Sequence, residues 1–367
     1  MNPKKFFIAS SLALGAIILV LLVYNFWPDK NSSRPEETPE EQPQDTQGIS
    51  DLSQEPVISP VVDQRRERIK YHRAFDGQVL AVDFQGEQKE TLSDSVLNNF
   101  VKALWSPDTE KALSLFSENG QVKKYLYDYQ TKKATTLSEN IAWIDWSPTG
   151  DKIVYEFLSA DLNHNVSVAD PDGANWKAVF KTRVPDWQVE WVSKDIISLA
   201  TPPSGFVQGV LYALNPETEN FSKVLSDYYG LKPLWSPKGD KLLYSRVESG
   251  GQNLSLWVAN QDGANSKEMA LTTLADKCVW SADNTSFFCA VPQEIETSAV
   301  WPDDYYKGLV STRDDFYQIN LGTGQQIKLF ESSNDFFYDA SSLMVSDDND
   351  FLFFINGYDN HLYALEI

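Results

Sequence analysis

Histidine is nearly absent. His72, His164 and His361 are the only three in 367 residues. They lie far apart in the chain, so no histidine-based metal centre or histidine general base is expected. Cysteine is as scarce, with two residues and no Cys-x-x-Cys pair, which argues against a redox-active dithiol. No G-x-S-x-G precedes a later histidine, so the chain carries no appended serine-hydrolase domain. Positive charge is also short: 31 Lys and Arg stand against 52 Asp and Glu, a formal net charge of −21. A nucleic-acid binder neutralises phosphates with Lys and Arg, and no basic stripe exists here, so that class is excluded. Anionic lipid surfaces are poor partners for the same reason. The acidity reads as a solubility device, with an acidic surface for a cationic partner as the alternative. From these absences the chain is expected to be no enzyme and to hold neither metal nor cofactor.

What is present is aromatic and apolar. The chain has 11 Trp, 16 Tyr and 20 Phe, and 42% of it is hydrophobic. Flat rings pack well on pleated surfaces, so this composition suits sheets.

Residues Phe6 to Trp27 contain no charged side chain. At about 1.5 Å per residue such a helix is roughly 33 Å long, enough for a bilayer core of about 30 Å. It ends in Tyr24, Phe26 and Trp27, an interfacial aromatic cluster, and Lys4 and Lys5 precede it. The expected organisation is a cytoplasmic stub at 1–5, a transmembrane helix at 6–27 and everything else outside the cytoplasm. The run is too long for a signal-peptide core and no small-x-small site follows it, so an uncleaved anchor is expected. Residues 28–54 are rich in Pro and acidic residues and read as an extended, disordered tether. The folded domain is expected over 55–367.

That domain repeats itself. LWSPDTEKALSLF (104–116), DWSPTGDKIVYEF (145–157), EWVSKDIISLA (190–200), LWSPKGDKLLYSR (234–246) and VWSADNTSFFCAV (279–291) are copies of one unit. MVSDDNDFLFFIN (344–356) and VISPVVDQRRERIKYH (57–72) are weaker ones. The anchors are Ile58, Trp105, Trp146, Trp191, Trp235, Trp280 and Val345, spaced 47, 41, 45, 44, 45 and 65 residues apart. Each anchor precedes a turn, an apolar strand and a further hairpin. The turns at Asp170 and Asp172 are ordinary hairpin chemistry rather than calcium loops. A period near 45 residues with four short strands predicts an all-β propeller of about seven four-stranded blades, six being the alternative. HLYALEI (361–367) begins a last hairpin and stops, so the final blade is expected to lack its outer strand.

The Trp-Ser-Pro-x-Gly pattern, clearest at 146–150 and 235–239, resembles the WD-like repeats of TolB-type β-propeller proteins over roughly 55–367. That repeat class includes exported envelope proteins that bind other proteins and the propeller domains of serine peptidases, and the envelope-protein pattern implies protein binding. The repeat residues it rests on are scaffold and imply no catalytic position.

Cys278 and Cys289 flank one anchor. A hairpin centred on Asp283-Asn284 puts them directly opposite, at a separation compatible with a disulfide, and export would permit oxidation. The 65-residue spacing contains an insertion at about 292–313, between the second and third strands of its blade. Long loops on a rigid scaffold tend to carry function. The candidate ligand-binding residues are Trp301, Asp303, Asp304, Tyr305 and Tyr306, joined on the same face by Phe206, Trp187, Tyr228 and Tyr229. Folding back of these aromatics as a cover is the competing reading. The expected function is a membrane-anchored, extracytoplasmic, non-catalytic module binding a protein, peptide or envelope polysaccharide. A carbohydrate-active hydrolase or lyase using loop-face acids, and a purely architectural surface protein, are the alternatives.

Overall fold

The computed structural model describes residues 48–367. The expected helix at 6–27 and most of the expected tether lie outside the described residues. Among the described residues no helix is long and apolar enough to cross a membrane.

The fold is all-β and antiparallel throughout. Among the described residues four sheets are four-stranded meanders, a fifth has three meander strands closed by Ile49–Asp51, and one has seven strands. The seven-stranded sheet is two four-stranded units sharing the strand Phe221–Trp235. This strand is the fourth of one unit, paired to Gln208–Leu214, and the first of the next, paired to Lys241–Glu248. Asp227 and Gly230 sit at φ 69° and 62°, which bends the strand between its two roles. Seven four-stranded blades result: 57–93, 100–136, 141–182, 188–226, 228–268, 278–330 and 340–366. They are blades 1 to 7 below.

The last blade is complete. Ile49–Asp51 is its fourth strand, with Ile49 opposite Leu365 and Asp51 opposite Tyr363. Leu52 donates its N–H to the Leu362 carbonyl at 2.8 Å. Residues 48–54, read above as tether, therefore belong to the folded ring. Composition hid this, because two apolar residues suffice: Ile49 and Leu52 are both buried. The first and last described strands meet in one sheet, which removes the open edge of the ring.

The repeat works through its turn. The serine after the anchor accepts the backbone N–H that opens the second strand: Ser106 from Lys111 (2.9 Å), Ser147 from Lys152 (3.1 Å), Ser236 from Lys241 (3.1 Å) and Ser346 from Phe351 (3.0 Å). The fourth residue after the anchor is left-handed in blades 2, 3, 5, 6 and 7, at Thr109, Gly150, Gly239, Asn284 and Asn349. That explains the Gly and Asn there. Anchor indoles tie blade to blade. Trp146 donates to the Leu104 carbonyl at 2.8 Å, and Trp280 to that of Leu234 at 3.2 Å.

Each sheet is apolar on both faces and must stack. Buried clusters fill the interfaces between blades 2 and 3 (Leu113, Trp146), 3 and 4 (Val154, Val189), 4 and 5 (Leu211, Tyr244), 5 and 6 (Leu256, Phe287), 6 and 7 (Phe288, Phe354) and 7 and 1 (Phe353, Tyr71). Blades 1 and 2 meet through His72, whose ring lies 4.5 Å from that of Phe100 and 5.2 Å from that of Trp105. This closed series of stacked sheets is a β-propeller. Cys278 and Cys289 are opposite one another in blade 6 and form a disulfide.

Candidate functional site

The first strand of each blade lines the centre of the ring. Asp145 is in Ile141–Trp146 of blade 3 and Glu190 in Gln188–Ser193 of blade 4. Each stands immediately before its anchor tryptophan. Other copies carry Leu104, Leu234 or Val279 there. Asp145 Oδ2 accepts the backbone N–H of Trp191 at 2.9 Å, which sets its carboxylate against the peptide that follows Glu190.

Asp145 is half-buried, and Glu190 is exposed although it sits on an innermost strand. The surrounding inner strands crowd both carboxylates, which costs each of them part of its hydration. Burial raises Asp145 to about 6, with the Trp191 N–H and the charge of Lys102 partly offsetting it. Burial, and then the charge of Asp145, raises Glu190 to about 7, with Lys232 pulling the other way. Lys102 and Lys232 are in the first strands of blades 2 and 5 and act through space. Both carboxylates are held above their usual range, Glu190 higher than Asp145, an arrangement suited to general acid–base work.

Of the residues expected to bind ligand, Trp301 and Asp303 to Tyr306 lie in the insertion, Trp187 and Phe206 in loops, and Tyr228 and Tyr229 in the strand Phe221–Trp235. The insertion folds around a short helix, Asp303–Tyr306. Trp301 is 2% exposed and donates its indole N–H to the Glu296 carbonyl at 3.1 Å. Asp303 accepts Ser204 Oγ at 3.1 Å and the Gly205 N–H at 2.6 Å, while Asp304 accepts the Val300 N–H at 2.8 Å. Tyr305 stacks on Trp301 and hydrogen-bonds to Asp339 at 2.9 Å. Tyr306 donates to Asp276 at 2.7 Å. Tyr229 packs against the Trp301 cluster, and Tyr228 lies under the Arg246 guanidinium, 4.6 Å from the ring centre. Trp187 is buried between blades 3 and 4. Phe206 is exposed. The structure thus brings Trp301, Asp303, Tyr305 and Tyr229 together and leaves Trp187 apart. A cavity of about 630 Å³ opens beside the insertion, with Glu294, Glu296, Arg313 and Tyr358 in its wall.

Lys277 underpins that loop. Its buried ammonium lies 2.9 Å from Asp314, 2.8 Å from Asp339 and 2.8 Å from the Tyr305 hydroxyl. Burial alone would lower its pKa, but the charges of Asp314 and Asp339 hold it above the usual lysine value. Among the described residues no group of three or more His, Cys, Asp or Glu side chains is arranged to hold a metal ion.

No protein-family model matches the chain, and no curated protein matches it in sequence. Solved structures do match in fold. Oligogalacturonate lyase from Vibrio parahaemolyticus is 11% identical, with 88% of this chain and 95% of that chain covered and a TM-score of 0.64. The β-propeller domain of the Trilobed protease from Pyrococcus furiosus is 11% identical, with 84% and 95% covered and a TM-score of 0.56. The fold is shared with an enzyme. TolB from Acinetobacter baumannii is 12% identical, with 85% and 78% covered, at a TM-score of 0.42.

The expectation of a non-catalytic module is corrected here. It rested on missing motifs and on there being no chain left for a catalytic domain. The Vibrio protein is named a lyase, and this fold spans nearly its whole length, so a propeller of this size needs no added domain to catalyse. Identity at this level carries the fold and not the substrate. Asp145 and Glu190 were passed over because they lie inside the scaffold repeat. The signal was there to read: Asp and Glu stand before the anchor where other copies place an apolar residue.

Proposed function

We propose that this chain is a carbohydrate-active lyase in which Asp145 and Glu190 form the acid–base pair. The observation that supports it most is the adjacency of two carboxylates with raised pKa values on neighbouring inner strands. Lys102 and Lys232 beside them suit a uronic-acid unit, whose carboxylate they would neutralise. The Trp191 N–H favours the charged form of Asp145, and Glu190, with the higher pKa, holds its proton more tightly. Asp145 takes the proton from the carbon next to the uronate carboxylate. That electron pair becomes the new carbon–carbon double bond as the glycosidic carbon–oxygen bond breaks. Glu190 gives its proton to the departing oxygen.

The test is incubation of the full chain with uronic-acid polysaccharides, read by ultraviolet absorbance of the unsaturated product and by new reducing ends. Both signals together support elimination. Reducing ends without absorbance would mean hydrolysis, and neither signal would refute the catalytic reading.

The proposal places the domain outside the cytoplasm, held by residues 6–27. The uncharged apolar run supports this. Exposed Phe75, Val96, Leu162, Val184, Phe206 and Leu309 all lie in loops of one face of the ring, which supports a protein partner there.

A further inference from the structure

One interface in the ring is built differently from the rest. Six are filled by buried apolar clusters, and among the described residues the one between blades 1 and 2 is not. Beside the His72 contact lies a cleft of about 390 Å³. That is within the range of about 300–1,000 Å³ common to small-ligand sites.

Its wall is aromatic. Tyr125 and Tyr127 alternate along one face of Gln121–Asp128, with Tyr129 just beyond and Phe116 beside them on Lys111–Glu118. Phe116 meets Tyr125 edge-on at 5.5 Å, and Tyr127 meets Tyr129 edge-on at 4.7 Å, so the rings hold one another in place. The opposite wall comes from blade 1 and the loop after it, and supplies Ser93 and Asn98. No lysine, arginine or histidine lines the cleft. The one carboxylate in it, Glu118, lies 3.2 Å from the Lys123 ammonium. The lining is therefore close to neutral. The Tyr129 hydroxyl is engaged with His72 Nε2 at 3.2 Å, whereas those of Tyr125 and Tyr127 hydrogen-bond to no described residue.

We propose that this cleft binds a short neutral saccharide, of mono- or disaccharide size. A pyranose offers apolar C–H faces that lie on aromatic rings, and a rim of hydroxyls that matches Ser93, Asn98 and the free phenol groups. A charged sugar finds no partner there, and a wholly apolar ligand would strand those polar groups. This site is separate from the carboxylate pair and does not rest on the catalytic reading.

The experiment is calorimetric titration of the full chain with cellobiose and with maltose, beside a galacturonate dimer and indole as controls. Binding of a neutral disaccharide is expected, weakened about tenfold or more in Tyr127→Ala by loss of a stacking ring. Glu190→Gln should bind the disaccharide as the parent does, whatever its turnover. Tyr125→Phe with Tyr127→Phe keeps the rings, so it should fold, and it should bind several-fold more weakly than the parent. Failure of both neutral sugars to bind would overturn the proposal. So would tighter binding of indole, binding of the charged dimer that Tyr127→Ala weakens, or unchanged affinity in the double Phe variant.

Discussion

Asp145 Oδ2 accepts the backbone N–H of Trp191 at 2.9 Å across the joint between blades 3 and 4. This one bond places a carboxylate beside Glu190 and favours its charged form. If the pair is an acid and a base, Glu190→Gln and Asp145→Asn should each lower turnover on a responsive glycan by about 10²-fold or more. The parent should show a bell-shaped pH profile centred between about 6 and about 7. Initial rates across pH check both points.

Glu156 gives a separate pH effect on stability. It is fully buried between blades 3 and 4, one carboxylate oxygen has no partner, and the Trp187 N–H reaches the other at 3.3 Å. Burial raises it from 4.5 to about 7. The folded state then binds the proton more tightly than the unfolded state, so stability falls as pH rises from 4.5 to about 7. Glu156→Gln should be more stable than the parent at high pH, by up to about 3 kcal/mol, and no more stable below the usual carboxylate pKa. Denaturant melts at both extremes measure this.

Lys277 holds two buried aspartates together under the insertion. Lys277→Met strands Asp314 and Asp339 and should destabilise the domain by about 3–5 kcal/mol. Adding Asp314→Asn and Asp339→Asn should recover part of the loss, seen in thermal denaturation.

The closing strand is short, yet it seals the ring. A chain lacking residues 1–47 keeps the closing strand and sets the reference melting temperature. Deleting 1–55 removes the pairing of Ile49–Asp51 with blade 7 and should lower it clearly. Equal melting of the two truncations would mean that the strand contributes nothing.

The disulfide joins residues 11 apart in sequence. Replacing Cys278 and Cys289 together with Ala should cost about 2–3 kcal/mol, because a short loop is released in the unfolded chain. Urea titration of the oxidised parent against the variant gives the difference.

Much of the fold is legible in the sequence because the repeat is a physical device. Ser147 and Ser236 hold the strand openings, and Gly150 and Gly239 take the left-handed turn, so the pattern Trp-Ser-Pro-x-Gly recurs. The cysteine pairing follows from the same hairpin. The closing strand is not legible, since Ile49 and Leu52 are only two apolar residues in an acidic stretch. The joint role of Phe221–Trp235 is hidden for another reason: Asp227 and Gly230 bend the strand without ending it, so no loop separates the two blades. The loop aromatics are visible as a group, but the folding of Tyr305 onto Lys277, with Trp301 stacked on it, depends on Asp314 and Asp339, which lie up to 62 residues from Lys277 in sequence. Asp145 and Glu190 show only against the aligned copies.

The most direct measurement is a structure of the Glu190→Gln variant soaked with a uronic-acid oligosaccharide. The account predicts sugar in the central channel, with a glycosidic oxygen at the amide that replaces the Glu190 carboxyl, the adjacent carbon facing Asp145 and the uronate carboxylate near Lys232 or Lys102. An empty channel at saturating ligand, or sugar bound only outside it, would contradict the account.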